Sequence, residues 1–109
     1  FAGTGATWCY GIAVAASCDC TDNAPACSID GVIKIVDQDD FSAVSVVADS
    51  DFDGNSIVFT PLRGAATLPG GATSGDLKFS ISSGAEIGAV LTSFGRASLC
   101  GTISGHAAC

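Results

Sequence analysis

The residues best placed to do chemistry are three aspartates at alternate positions, Asp49-x-Asp51-x-Asp53, followed by Gly54. Oxygen ligands spaced in this way converge on one centre, and the glycine permits the sharp turn that a calcium loop needs. Carboxylate oxygens are hard donors, so the set suits calcium better than a transition metal. As an EF-type loop it is incomplete, because Thr60 occupies the position of the closing bidentate glutamate. A closing ligand would have to come from Asp37, Asp39, Asp40 or Asp76. The competing reading is a solvated acidic turn feeding an apolar core strand, since Asp, Asn and Gly are the ordinary residues of turns. The expectation is therefore a protein that requires no cofactor, with calcium at Asp49, Asp51 and Asp53 as the metal alternative.

Six cysteines, Cys9, Cys18, Cys20, Cys27, Cys100 and Cys109, form an even set in a short chain. That pattern favours disulfides and an oxidising compartment. A zinc site would need paired C-x-x-C knuckles, and no such spacing occurs. Cys100 with Cys109 is the expected bridge, because it closes a short Gly/Ser loop and pins the C-terminal segment. The other four are expected to bridge among themselves. Cys18 with Cys27 and Cys9 with Cys20 is one arrangement, and the spacing leaves the choice open.

Catalysis has little to work with. The single histidine, His106, lies in a Gly/Ala stretch inside the Cys100–Cys109 loop, and oxidised cysteines leave no thiolate for it to activate. Asp39 and Asp40 are adjacent, so they point apart, whereas a glycosidase needs two acids facing one cleft. Trp8 and Tyr10 read as core residues in preference to a sugar platform. The Gly-rich stretches lack a P-loop lysine and a following helix. No enzymatic activity is expected.

At 109 residues the chain is read as one β-rich domain, residues 1–109. Folding at that length buries roughly 65% of the extended chain's surface. Apolar residues make up 48% of the composition and charged residues 14%, which separates the chain from disordered sequences. The net charge of −7 repels phosphate backbones and anionic membranes, so nucleic acid is not an expected partner. There is neither a run of eighteen apolar residues nor a basic-then-apolar leader. Disulfides nevertheless imply export, and residues 1–5 read as a cut edge.

The elements that must position these residues are strands. Alternation over residues 7–16 puts Trp8, Tyr10, Ile12 and Val14 on one bulky face, and Cys9, Gly11, Ala13 and Ala15 on a tight one. Residues 17–30 read as a cysteine-laced loop with no element of its own. Further strands are expected at 31–36 and 41–48, and a short one precedes Pro61. Residues 65–75 read as a Gly/Ala/Thr loop broken by Pro69-Gly70-Gly71. Leu77, Phe79 and Ile81 then alternate with polar residues, and strands at 85–92 and 96–100 follow, giving two adjacent hairpins. The fold class is mainly β, antiparallel, as one curled sheet or a β-sandwich, with disulfides as staples.

Three local patterns occur in a particular order. Trp8-x-x-Gly11-Ile12-x-Val14 is followed by Ile57-x-Phe59-x-Pro61-x-x-Gly64 and then by Gly95-Arg96-x-x-x-Cys100. Together they resemble the globular head of minor pilins and pseudopilins of the GspH/FimT type, from type IV pili and type II secretion. The resemblance covers most of the chain and implies a pilin head lacking its long N-terminal helix. It implies a structural subunit, held at the periplasmic face of the inner membrane through that helix. Such a subunit then assembles with other pilin subunits into an extracellular filament or its tip. Cys100 and Cys109 would supply the disulfide-closed C-terminal loop of such heads, and calcium fixes loops in some of them. Some members take up DNA with a Gly-Arg-x-Arg hairpin. Here the sequence is Gly95-Arg96-Ala97-Ser98, so the second arginine is missing. The alternative function is a secreted calcium-dependent adhesion or carbohydrate-binding β module.

Overall fold

The computed structural model describes residues 1–14, 18–21, 26–48, 51–52, 56–103 and 105–109. Among them ten strands form: β1 (Cys9–Gly11), β2 (Ser28–Ile29), β3 (Val32–Ile33), β4 (Ile35–Asp37), β5 (Val44–Val46), β6 (Val58–Phe59), β7 (Ala66–Thr67), β8 (Ser74–Ile81), β9 (Glu86–Thr92) and β10 (Ala97–Gly101). A 3₁₀ turn at Pro69–Gly71 is the one helical element among the described residues. All strand pairing is antiparallel. One four-stranded sheet has the order β10-β9-β8-β5, and β1–β4, β2–β3 and β6–β7 form separate pairs. The protein is therefore mainly β, as its alternation and turn residues require.

The C-terminal half follows its sequence closely. Ser83 and Gly84 turn β8 into β9, with the Gly84 N–H donating to the Ile81 carbonyl (2.8 Å) and the Ile81 N–H to that of Ala85 (3.1 Å). The second turn is held by Gly95 N–H on the Thr92 carbonyl (2.8 Å) and Thr92 N–H on that of Arg96 (3.0 Å). Gly95 has φ +75°, and the Gly64 carbonyl fills the place a Cβ would take. Only glycine satisfies both conditions.

The N-terminal half is more broken than periodicity implies. β1 stops at Gly11, and Ile12 and Val14 beyond it are exposed. The expected strand at 31–36 divides at Lys34, whose N–H goes back to the Cys27 carbonyl (2.7 Å) and whose carbonyl accepts from Ile12 (2.9 Å). In the expected strand at 41–48, the first residues are consumed by turns: Phe41 N–H bonds the Gln38 carbonyl and Val44 N–H that of Phe41. The segment at 17–30 contributes β2, and the stretch at 65–75 supplies β7 and the start of β8. Residues 15–17, 22–25, 49–50, 53–55 and 104 lie outside the described set.

The core corrects one expectation in particular. The strand before Pro61 is not a core strand: Val58 and Phe59 are 51% and 56% exposed, and among the described residues β6 pairs only with β7. The buried cluster is Phe52, Ala66, Leu68 and Leu91, with Phe1, Ile57 and Leu77 packed against it. Phe52, set in the acidic stretch, is thus the aromatic that the core closes around. A second buried site centres on Trp8, whose indole N–H donates to the Val44 carbonyl (3.0 Å) and whose ring meets Phe79 edge-on at 5.5 Å. Gln38 ties down its backbone, accepting from the Trp8 N–H and donating to the Trp8 carbonyl.

All six cysteines are paired, as Cys9–Cys20, Cys18–Cys27 and Cys100–Cys109. Each closes a loop of about ten residues, and in the chain-entropy account each removes ~2–3 kcal/mol of unfolded-state freedom. Strand glycines make room for these groups. A Cβ on Gly88 would stand 2.7 Å from the Cys109 sulfur and 3.0 Å from that of Cys100. On Gly11 it would stand 2.8 Å from the Cys18 sulfur and closer still to that of Cys27. On Gly75 it would meet the Phe52 ring at 2.8 Å. Glycine weakens a strand interior, yet it is the residue a close approach demands.

Two stability measurements check this packing. Phe52→Ala should cost about 3–5 kcal/mol in urea unfolding, whereas Phe59→Ala should cost ~1 kcal/mol or less. Gly88→Ala should cost about 1–3 kcal/mol with the disulfide present, and most of that loss should vanish in a Cys100→Ala/Cys109→Ala background.

Candidate functional site

Of the three aspartates proposed as calcium ligands, Asp51 is described, and Asp49 and Asp53 lie outside the described residues. Asp51 sits beside the first residues of β8. Its N–H donates to the Asp76 carbonyl and its carboxylate accepts the Asp76 N–H, each at 2.9 Å. The side chain thus continues the sheet ladder beyond β5, as Asx side chains do when they replace a backbone partner. Asp76 in turn pairs with Lys78 at 3.2 Å. Beneath Asp51, Phe52 enters the core between Gly75 and Leu68, and a cavity of about 150 Å³ is lined by these residues with Pro69, Ala72 and Ser74. Its walls are polar and apolar in nearly equal part.

The other acids considered as closing ligands are held in local structure. Asp37 Oδ1 accepts the Asp39 N–H at 2.9 Å, and Asp40 Oδ2 accepts the Asp37 N–H at 3.3 Å. Thr60 closes the β6–β7 connection, with its N–H and hydroxyl both directed to the Ala65 carbonyl. Among the described residues no three His, Cys, Asp or Glu side chains gather in a metal-binding arrangement.

His106 is exposed, and its backbone N–H bonds the Ile103 carbonyl within the loop closed by Cys100 and Cys109. Trp8 is buried with its indole N–H satisfied, so its ring offers no sugar platform. Among the described residues every buried side-chain nitrogen and oxygen has a partner. The carboxylates of Asp37, Asp40 and Asp51 are thus engaged with backbone N–H groups in turns and at the sheet edge.

The structure does bring together two stretches that lie far apart in sequence. Residues 61–64 and 93–96 meet where the Gly64 carbonyl packs against Gly95, and the Ala66 N–H donates to the Ser93 carbonyl at 2.9 Å. The first belongs to the Ile57–Gly64 pattern, and the second runs into the start of the Gly95–Cys100 pattern. Each carries one exposed large apolar residue beside an arginine: Leu62 with Arg63, and Phe94 with Arg96. A signal for this was present in the sequence, since both loops pair Gly with Arg in a chain that has only four basic residues. Nothing in the local pattern says that they touch.

No family model, curated protein or solved structure matches the chain. Its function must be argued from its own residues.

The hydrogen bonds of Asp51 make a prediction. Asp51→Ala should destabilise by about 1–2 kcal/mol, and Asp51→Asn, which retains an acceptor, by less than half as much. The loss should be the same in EDTA and in millimolar calcium. A calcium-dependent rise in Tm that Asp51→Ala abolishes would instead assign the loop to the metal.

Proposed function

We propose that this chain is a non-enzymatic structural subunit, the β-rich head of a type IV pilin-like protein that packs into a filament or tips it. The observation that carries the reading is the ordered series of three patterns, Trp8 to Val14, Ile57 to Gly64 and Gly95 to Cys100. The first holds the buried Trp8, and the other two meet where the Gly64 carbonyl packs against Gly95. An antiparallel sheet closed by a disulfide-bonded C-terminal loop is what that resemblance calls for, and both features are present.

The side-chain chemistry is consistent with a scaffold. Asp37, Asp40, Asp51 and Thr60 each complete backbone hydrogen bonds, which is a shape-holding role. Three disulfides and small cores suit a domain held outside the reducing cytosol. In this reading the partners are other pilin subunits, the location is the cell surface after assembly from the periplasmic side, and no cofactor is required. Nucleic acid is not a partner, since Arg96 stands without a second arginine in its hairpin and the net charge is −7.

The test is genetic and direct. The gene upstream of Phe1 should encode a short basic leader followed by about 20 apolar residues, the length of one membrane-spanning helix. An epitope placed in the exposed turn at Ser83 should decorate surface filaments in immuno-electron microscopy. An ordinary cleavable signal peptide, with label on monomeric secreted protein only, would favour the adhesion or carbohydrate-binding module and overturn the filament reading.

A further inference from the structure

We infer that the end of the molecule built from residues 61–64 and 93–96 docks onto the acidic, apolar turn at residues 37–41 of a second copy of this chain, in a head-to-tail contact. The proposal deepens the filament reading by naming a contact between heads, and it can fail while that reading stands.

The first surface is unusual for this protein. Leu62 is 96% exposed and Phe94 87%, and the loops that carry them are joined through Gly64 and Gly95. Arg63 and Arg96 lie beside them, both exposed and with no ion pair among the described residues. Half of the chain's basic residues are thus concentrated on one apolar end. Desolvated arginines beside aromatic and aliphatic side chains are the composition of binding hot spots.

The second surface has the complementary composition. Asp39, Asp40 and Phe41 are all exposed on the turn that leads into β5, and Asp37 lies at its base. Val44 pairs with Ile81, so this turn lies at the Ile81 end of β8, beside exposed Ile81 and near Glu86. The arginine-bearing loops lie at the other end, where Ser74 pairs with Thr92. Eight residues of β8 separate the two, about 24 Å at strand rise. Opposite charges and apolar groups at opposite ends of one sheet cannot satisfy each other within a single molecule. Between molecules they can, and a contact of two different surfaces extends into an open chain where a rotation does not close it.

Analytical ultracentrifugation of the 109-residue chain tests this. The weight-average mass should rise with concentration past that of a dimer, and the apparent affinity should fall at least tenfold between ~0.05 and ~0.5 M salt. Arg63→Ser/Phe94→Ser and Asp39→Ser/Phe41→Ser should each be monomeric with unchanged Tm. Mixed in equal amounts they should form a dimer and nothing larger, because each retains the surface the other lost. A chain that stays monomeric up to millimolar concentration at low salt would overturn the proposal. So would a saturating dimer that survives both double substitutions. Binding of the monomer to phosphatidylglycerol vesicles without self-association would overturn it too, and would assign the arginine-bearing end to a membrane surface.

Discussion

The close packing of bulky groups onto strand glycines underlies most of this structure. Phe52 rests on Gly75, the Cys18–Cys27 disulfide on Gly11, and the Cys100–Cys109 disulfide on Gly88. In each case the partner approaches the backbone more closely than a Cβ would allow. The strands give up side-chain packing at these glycines and recover it from a ring or a pair of sulfurs delivered by another segment. Because most strands are only two or three residues long, ladder hydrogen bonds alone would not define a unique arrangement. The seats supply what the ladders lack.

This construction explains the role of the acidic stretch. Asp51 and Phe52 are consecutive and do opposite work, one satisfying the backbone of Asp76 and the other filling the core. The aspartate holds the edge of β8 while the aromatic closes over its second residue. Asp51 thus has a structural reason for being an aspartate, since its exposed carboxylate completes the backbone hydrogen bonding of Asp76 beside the buried ring. The same economy governs the turn at 37–41, where Asp37 and Asp40 bond neighbouring backbone and leave Phe41 outside.

Exposed apolar groups are correspondingly frequent. Leu62, Phe94 and Phe41 stand out because each adjoins unopposed or clustered charge, which gives the two ends of the sheet different chemistry.

By itself the sequence determined the antiparallel β class, the two C-terminal hairpins and the use of all six cysteines in disulfides. These follow from local rules: period-two alternation at Leu77, Phe79 and Ile81, glycine at turns with positive φ, and an even set of cysteines at short spacing. Tertiary structure decided the rest. Periodicity at 7–16 and 41–48 could not reveal that Gly11 would lie under a disulfide or that residues 38–43 would be spent on turns. Nor could it rank Phe52 above Phe59, since burial depends on which segment crosses Gly75, a partner more than twenty residues away. The meeting of Gly64 with Gly95 is of the same kind. Local spacing encodes how each residue can bend and which way it faces, whereas burial and proximity are properties of pairs that only the folded chain brings together.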